Sequence, residues 1–181
     1  MGALLSLFKE APWSAEFVKD PSLDEVDSAT GLTLRQKKVI VETWKVAEDY
    51  LHVNKADFFM AIFKAHPSYQ KEFKSFAAVP FEELRENKRM QAHSFNVTFA
   101  LSALVNSLDD IECLKEQLIG VGERHGKRKL NFSHFESVPP VFVDFMDEKL
   151  GSGFTPFARK AWLQAFDVMN SIIKQGLDSV E

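Results

Sequence analysis

Apolar residues recur along most of this chain at steps of three and four positions, the spacing that places them on one face of an α-helix. The first such face follows Thr33-Leu34-Arg35-Gln36, whose threonine and glutamine fit a capping box at a helix start. A second, phenylalanine-rich face ends near His66-Pro67. No run of alternating apolar and polar residues is long enough to predict a strand. The pattern therefore predicts an all-α fold.

Two more helices are predicted in the last third of the chain. Ser133-His134-Phe135-Glu136 fits a second capping box, and the helix after it is predicted to end at Gly151-Ser152-Gly153. Thr155-Pro156 places a cap and then a proline at the start of the final helix. Pro139-Pro140 falls inside the first of these two helices, where proline removes a backbone hydrogen bond. We therefore expect a kink or a break there.

The two predicted helices in the middle of the chain each carry a histidine on the apolar face. The face that contains His93 also contains Met90, Val97, Leu101, Leu104 and Leu108. The face that ends at His125 contains Ile111, Leu114, Leu118 and either Val121 or Gly122. For one such histidine the ordinary explanation is a core residue whose ring nitrogens bond a carbonyl, and His52, His66 and His134 keep it. Two imidazoles across an apolar gap can instead ligate a flat, apolar metal complex from both sides, as haem is ligated.

Length and composition narrow the class of protein. The 181 residues predict a single domain at 31–181 with an N-terminal extension at 1–30. A net charge of −4 gives no footprint for nucleic acid. The 17 phenylalanines, against two tyrosines, suit a core around an apolar prosthetic group, and equally a plain helical core. The single cysteine, Cys113, excludes an internal disulfide and a cysteine-cluster metal site, which predicts a cytoplasmic protein.

The first six residues, Met1-Gly2-Ala3-Leu4-Leu5-Ser6, fit the N-myristoylation pattern M-G-x-x-x-[ST]. They lack the basic leader of a secretory signal, and no apolar run approaches the roughly 18 residues that span a bilayer. An ordinary start that has Gly2 by chance explains the same residues. One acyl chain anchors a protein only weakly. Acylation of Gly2 therefore predicts reversible, peripheral membrane contact at most.

In this order and at these spacings, the residues from about 32 to 178 resemble a globin. Trp44 is similar to the tryptophan of the first globin helix, and Pro67 opens a short third helix. Phe73 resembles the phenylalanine wedged against haem, with Phe76 as its companion. The resemblance implies the globin fold, with about eight helices in a 3-over-3 arrangement that encloses haem b. It also implies that the protein is not an enzyme in the first instance.

The resemblance assigns roles to individual residues. His125 is similar to the proximal iron ligand, with a backbone carbonyl near Val121 orienting its ring, and His93 to the distal histidine. His93 is expected either to donate a hydrogen bond to a gas in the pocket or to bind the iron itself. The other residues implied to contact haem are Phe59, Phe73, Phe76, Val97, Leu130, Phe135 and Val138.

Phe59 and Val97 make the pocket similar to those of neuroglobin-like and globin-X-like proteins, which implies bis-histidyl iron. One departure concerns Asn96, since related hexacoordinate globins carry a basic residue there to meet a haem propionate. Arg124, Arg128 or Lys88 are candidate substitutes, although a solvated basic surface explains them as well. A second departure weakens the resemblance to globin-X-like proteins, because the cysteine expected near an acylated N-terminus is missing.

Two functions follow from the resemblance. In the first, the protein reversibly binds oxygen and other diatomic gases for storage or transport. In the second, it is a membrane-associated redox or signalling protein that exchanges electrons with a reductase or acts on nitric oxide or nitrite, as a nitric oxide dioxygenase or nitrite reductase does. Bis-histidyl iron favours the second, because competition from His93 lowers the apparent gas affinity. Monomer and homodimer both remain open.

Overall fold

The computed structural model describes residues 18–180, and in that part of the chain the secondary structure is helical apart from one isolated bridge between Val26 and Thr33. The eight α-helices within residues 18–180 are α1 Leu34–Val53, α2 Asp57–Ala65, α3 Phe81–Leu84, α4 Lys88–Asn106, α5 Ile111–Gly126, α6 Phe132–Glu136, α7 Val138–Leu150 and α8 Pro156–Asp178. Single 3-10 turns lie at Pro21–Asp24, Pro67–Glu72 and Gly151–Gly153. The predicted all-α fold is confirmed.

The start of α1 forms as predicted. The Thr33 hydroxyl accepts a hydrogen bond from the Gln36 amide at 3.1 Å, and the Gln36 side chain accepts one from the Thr33 amide at 2.8 Å. This reciprocal pair satisfies two backbone donors that a helix start would otherwise leave without partners. At the start of α8 the Thr155 hydroxyl likewise accepts from the Ala158 amide, at 3.1 Å.

Residues 18–30, which the sequence assigned to an extension, lie against α1. The Arg35 guanidinium bonds both carboxylate oxygens of Asp24, at 2.7 and 3.0 Å. The Lys37 ammonium bridges Asp27 at 2.7 Å and Asp109 at 3.0 Å, and so joins this segment to the turn between α4 and α5. Leu23 is buried within the segment. This part of the predicted extension therefore packs on the helical domain.

The second predicted capping box, at Ser133, is wrong. The helix α6 begins at Phe132, after Asn131, and ends at Glu136. Ser137 interrupts the helical structure before α7 begins at Val138. Pro139 and Pro140 therefore lie in the first turn of α7, where backbone amides have no partner within the helix and the missing proline N–H costs little. The predicted break is real, but it separates two helices and does not kink one.

The core is centred on aromatic side chains of α1, α7 and α8. The ring centroids of Phe142 and Trp162 are 4.7 Å apart, and Trp44 lies 6.1 Å from Trp162. Each indole N–H has a partner, since Trp162 donates to the Thr43 hydroxyl at 2.8 Å and Trp44 to the Ser102 hydroxyl at 3.0 Å. Burial of such large rings dominates core energetics, and the hydrogen bonds remove the cost of burying the polar tips.

The two histidine helices meet different neighbours. The helix α4 packs mainly on α1, whereas α5 packs along α8, and this second contact is the most extensive between any two helices of residues 18–180. The helix α2 packs on α7. Across the same residues, no helix is both long enough and apolar enough to cross a membrane.

Candidate functional site

Both histidine helices face one cavity of about 450 Å3. This volume falls within the roughly 300–1,000 Å3 of typical small-molecule and cofactor sites. The walls are mainly apolar and come from α2, α4, α5, α7 and α8, together with the segments between them. Of the residues predicted from sequence, those that line the cavity are Phe59, Phe73, His93, Val97, His125, Leu130, Phe135 and Val138.

His125 is held in one orientation by its own helix. Its Nδ1 lies 2.8 Å from the carbonyl oxygen of Val121, the residue expected from the sequence to supply the acceptor. A carbonyl oxygen can only accept, so Nδ1 carries the proton and donates it. In the neutral ring this leaves the lone pair on Nε2, the tautomer that binds a metal. The ring also packs edge-on against Phe135, with the centroids 5.1 Å apart.

His93 is held only by contacts between rings. Its centroid lies 4.9 Å from that of Phe59 and 4.9 Å from that of Phe73, both in edge-to-face geometry. Within residues 18–180 no hydrogen bond reaches its imidazole. Aromatic contacts restrict the position of the ring without selecting a tautomer, so either ring nitrogen can present a lone pair or a proton to the cavity.

Burial lowers the pKa of both His93 and His125 below the ordinary value of 6.5. The positive charge of Arg128 lowers the pKa of each further, and His125 itself contributes to the lowering at His93. The hydrogen bond to Val121 opposes the shift at His125 without reversing it. Both imidazoles therefore stay neutral at neutral pH, and neutral imidazole is the form that ligates metals.

Phe76 does not line the cavity, contrary to the contact implied by the resemblance. It is buried behind Phe73, with the two rings stacked at 5.0 Å between centroids and 14° between planes. Phe76 also lies 6.2 Å from Phe63, so it fills the space between the cavity wall and α2. Its role is to support Phe73, and three-residue spacing alone does not distinguish a wall residue from the one behind it.

The mouth of the cavity is polar. Arg124 and Arg128 reach it, and so does Asn96, whereas Lys88 lies elsewhere and bonds Gln91 at 3.1 Å. Two exposed guanidiniums beside an apolar cavity suit the carboxylates of a bound group, since the guanidinium fork matches carboxylate geometry. Of the three candidates from sequence, the structure thus brings two to the site.

Sequence reasoning missed several residues of the wall. His134 lines the cavity, although its Nδ1 also has the local partners that an ordinary histidine would have, at Asn131. Its ring packs on Tyr69, 4.7 Å away, whose hydroxyl lies 2.7 Å from that of Ser137. The remaining unpredicted residues include Glu72 between α2 and α3 and, from α8, Met169, Asn170 and Ile173. No local pattern separates these α8 residues from an ordinary apolar face.

Two further features bear on cofactor binding. Among residues 18–180 no group of three or more histidine, cysteine, aspartate or glutamate side chains could hold a metal ion by itself. Gly2, the predicted acylation site, lies outside the described residues.

The family model described as "Globin" matches residues 56–173, which is more than half of the chain. The chain belongs to the globin family. It is 28% identical over 135 residues to a globin of Tritia mutabilis, covering 73% of this chain and 92% of the relative. It is 31% identical over 158 residues to "Extracellular globin-E1" of Artemia sp., covering 86% and 75%.

Comparison with solved structures gives the same fold. A hexacoordinated heme protein from an anhydrobiotic tardigrade superposes on this globin with a TM-score of 0.77, covering 84% of this chain and 99% of the other. The sequences are 21% identical, so the similarity establishes the globin fold and nothing finer. The predicted family and fold class are both confirmed.

Proposed function

We propose that this globin holds haem b in the cavity, with His125 as the proximal ligand of the iron. The observation that carries the proposal is the 2.8 Å hydrogen bond from His125 Nδ1 to the Val121 carbonyl. That bond directs the ring and leaves Nε2 as the only basic nitrogen. A haem-ligating histidine needs this orientation from its own helix, because a ring free to rotate would bind more weakly.

The residues present fit a haem group. The cavity walls are mainly apolar, and the guanidiniums of Arg124 and Arg128 lie at the mouth. A flat macrocycle with two carboxylates at one edge would therefore pack on apolar side chains and meet cations at that edge. Phe73 and Phe135 offer rings to the faces of such a group. When bound, the haem iron supplies reversible binding of diatomic gases and exchange between ferric and ferrous states.

We propose that His93 would be the second protein ligand of the haem iron in the absence of gas. It lines the same cavity, its lowered pKa keeps it neutral at neutral pH, and no acceptor within residues 18–180 bonds its nitrogens. With His93 free of the iron, its ring N–H would be placed to donate a hydrogen bond to a gas held in the cavity. Phe59 and Val97 limit the space on this side of the cavity, which favours diatomic ligands over larger ones.

The biochemical function that we propose is reversible binding of oxygen and similar gases in the cytoplasm. The test is the visible spectrum of the haem-loaded, dithionite-reduced, gas-free protein, followed by oxygen titration. Sharp, paired bands indicate six-coordinate iron with His93 bound, and a single broad band would overturn the bis-histidyl assignment. Failure of purified protein to take up haem would overturn the function as a whole.

A second candidate is redox chemistry or signalling with nitric oxide or nitrite, in partnership with a reductase. It is favoured by the same free imidazole of His93, because two strong axial ligands suit electron exchange better than gas storage. The rate of autoxidation separates the two. A stable oxygenated form supports the first function, whereas rapid return to the ferric state with efficient enzymatic reduction supports the second.

We also propose that Gly2 is myristoylated and that the protein contacts membranes reversibly. The support is the sequence pattern at residues 1–6 alone. Co-expression with an N-myristoyltransferase followed by mass spectrometry tests it, and the Gly2→Ala variant is the control. An unmodified N-terminus in the native protein would contradict both the proposed myristoylation and the proposed membrane contact.

A further inference from the structure

The helix that carries His125 approaches α8 at two glycines. Gly122 lies one turn before His125 and is buried. A methyl group on Gly122 would overlap the carbonyl oxygen of Ile173 and come within 2.8 Å of the Leu177 amide nitrogen. Both of these atoms belong to the backbone of α8, so a side chain could be accommodated only if one helix moved.

The opposite helix shows the same restriction. A methyl group on Gly176 of α8 would overlap the carbonyl oxygen of Ile119 and lie 2.9 Å from its carbonyl carbon. Each helix thus places a glycine against the backbone of the other, and we call Gly122 and Gly176 the glycine contact. Helices normally pack with axes 8–10 Å apart, and paired glycines permit the near end of that range.

The glycine contact lies next to the groups that orient His125. Val121, whose carbonyl oxygen accepts the hydrogen bond from His125 Nδ1, immediately precedes Gly122. On the other helix, Ile173 supplies the oxygen that Gly122 faces and also lines the cavity. A shift of α5 away from α8 would therefore move the ring of His125 relative to the cavity wall.

We propose that Gly122 and Gly176 are positioning residues that fix His125 before any cofactor binds. The proposal rests on the assignment of His125 as the proximal ligand. It says that α5 is held by backbone-to-backbone packing on α8, so that the ligand geometry is built into the protein chain. Sites that bind metals need their ligands held to within about half an ångström, and side-chain packing alone is less exact than a backbone contact.

The first test uses the wild-type protein without haem and measures amide hydrogen exchange. We expect the amides of residues 119–125 to be as strongly protected as those at the centre of α8, because the two helices open together. Exchange of residues 119–125 by local opening, at rates typical of loops, would overturn the proposal. This result does not depend on haem binding, so it separates failure of the proposal from failure of the proposed function.

The second test compares Gly122→Ala and Gly176→Ala with the control Gly120→Ala. Gly120 lies on α5, and a methyl group there meets only the flexible end of Arg124, at 3.1 Å. All three changes raise intrinsic helix propensity by the same amount. We expect haem dissociation into an excess of a haem-scavenging protein to accelerate about 10- to 100-fold in the first two variants. The control should change it far less, because only the flexible guanidinium of Arg124 at the cavity mouth has to shift.

The spectrum of the reduced protein separates positioning from plain stabilisation. Displacement of His125 changes the ratio of six- to five-coordinate iron, whereas loss of stability alone lowers the midpoint of thermal unfolding and leaves that ratio unchanged. Lowered stability with an unaltered spectrum and haem dissociation rate would overturn the proposal. If Gly122→Ala and Gly176→Ala do not fold, hydrogen exchange of the wild type decides.

Discussion

The two sides of the cavity present the same side chain with opposite constraints. His125 has a fixed tautomer, because Nδ1 donates to the Val121 carbonyl, and its helix packs closely along α8. Within residues 18–180 the imidazole of His93 has no hydrogen-bond partner, and it packs against the rings of Phe59 and Phe73, with Phe76 farther away. The imidazole of His125 is thus held in one orientation, whereas that of His93 can move toward or away from a group bound in the cavity. A gas-binding site needs this asymmetry, because a permanent ligand on both sides would exclude the gas.

Removal of the two histidines, one at a time, should have the largest effects on haem binding, and the two effects should be unequal. We expect His125→Ala to weaken haem binding by more than about 100-fold, because the oriented ligand is lost. We expect His93→Ala to weaken it far less, since the proximal side remains intact. Haem transfer to a scavenger measures both. Equal losses in the two variants would show that the two sides contribute alike and would contradict the comparison.

His93→Leu sharpens the distal half of the comparison. The reduced spectrum should change from sharp, paired bands to one broad band, since leucine fills the space without ligating. Association of carbon monoxide should accelerate by roughly the factor by which bound His93 reduces the competent fraction. Flash photolysis measures this rate. His52→Leu is the control, because His52 is exposed and its ring meets Phe95 and Phe99, which do not line the cavity. Identical kinetics in wild type and His93→Leu would contradict a ligating His93.

Loss of the supporting rings should reproduce the asymmetry in a weaker form. Phe135→Leu removes the ring against His125 and should accelerate haem dissociation by up to about tenfold. Phe73→Leu removes a ring against His93 and should also shift the six- to five-coordinate ratio, because ring contacts and no hydrogen bond from residues 18–180 restrain that imidazole. The haem dissociation rate and the six- to five-coordinate ratio are measured in both variants. A change of that ratio in Phe135→Leu alone would contradict the view that His93 is the less firmly held histidine.

The smallest expected effect is on the pH dependence of stability in the haem-free protein. Both pKa values are lowered by folding, so the unfolded chain binds more protons than the folded one once the pH falls below the unfolded value of 6.5. Stability is therefore complete above that pH and declines as the pH falls toward the folded-state pKa values. Urea unfolding between pH 8 and 5 measures the slope, which His93→Leu should reduce. If the pH dependence of the free energy of unfolding is the same in His93→Leu as in the wild type, His93 does not contribute to it.

Much of the fold was predictable because it depends on local chemistry. The capping box at Thr33 and the cap at Thr155 need only residues three positions apart, and both form. The box at Ser133 has the same residue types and does not form, since the helix already begins at Phe132 with Asn131 at the cap position. Competition between neighbouring signals therefore decided what a motif by itself could not.

For the site, the sequence by itself determined the two imidazoles, their apolar faces and the carbonyl that orients His125, because a helix fixes which residues lie one turn apart. Only the tertiary structure decided that Phe76 lies behind Phe73, that His134 and Tyr69 reach the cavity, and that Ile173 of α8 forms part of its wall. It also decided the approach of Gly122 to Gly176. These depend on how helices distant in sequence cross, and crossing is set by packing over the whole interface rather than by periodicity within one helix.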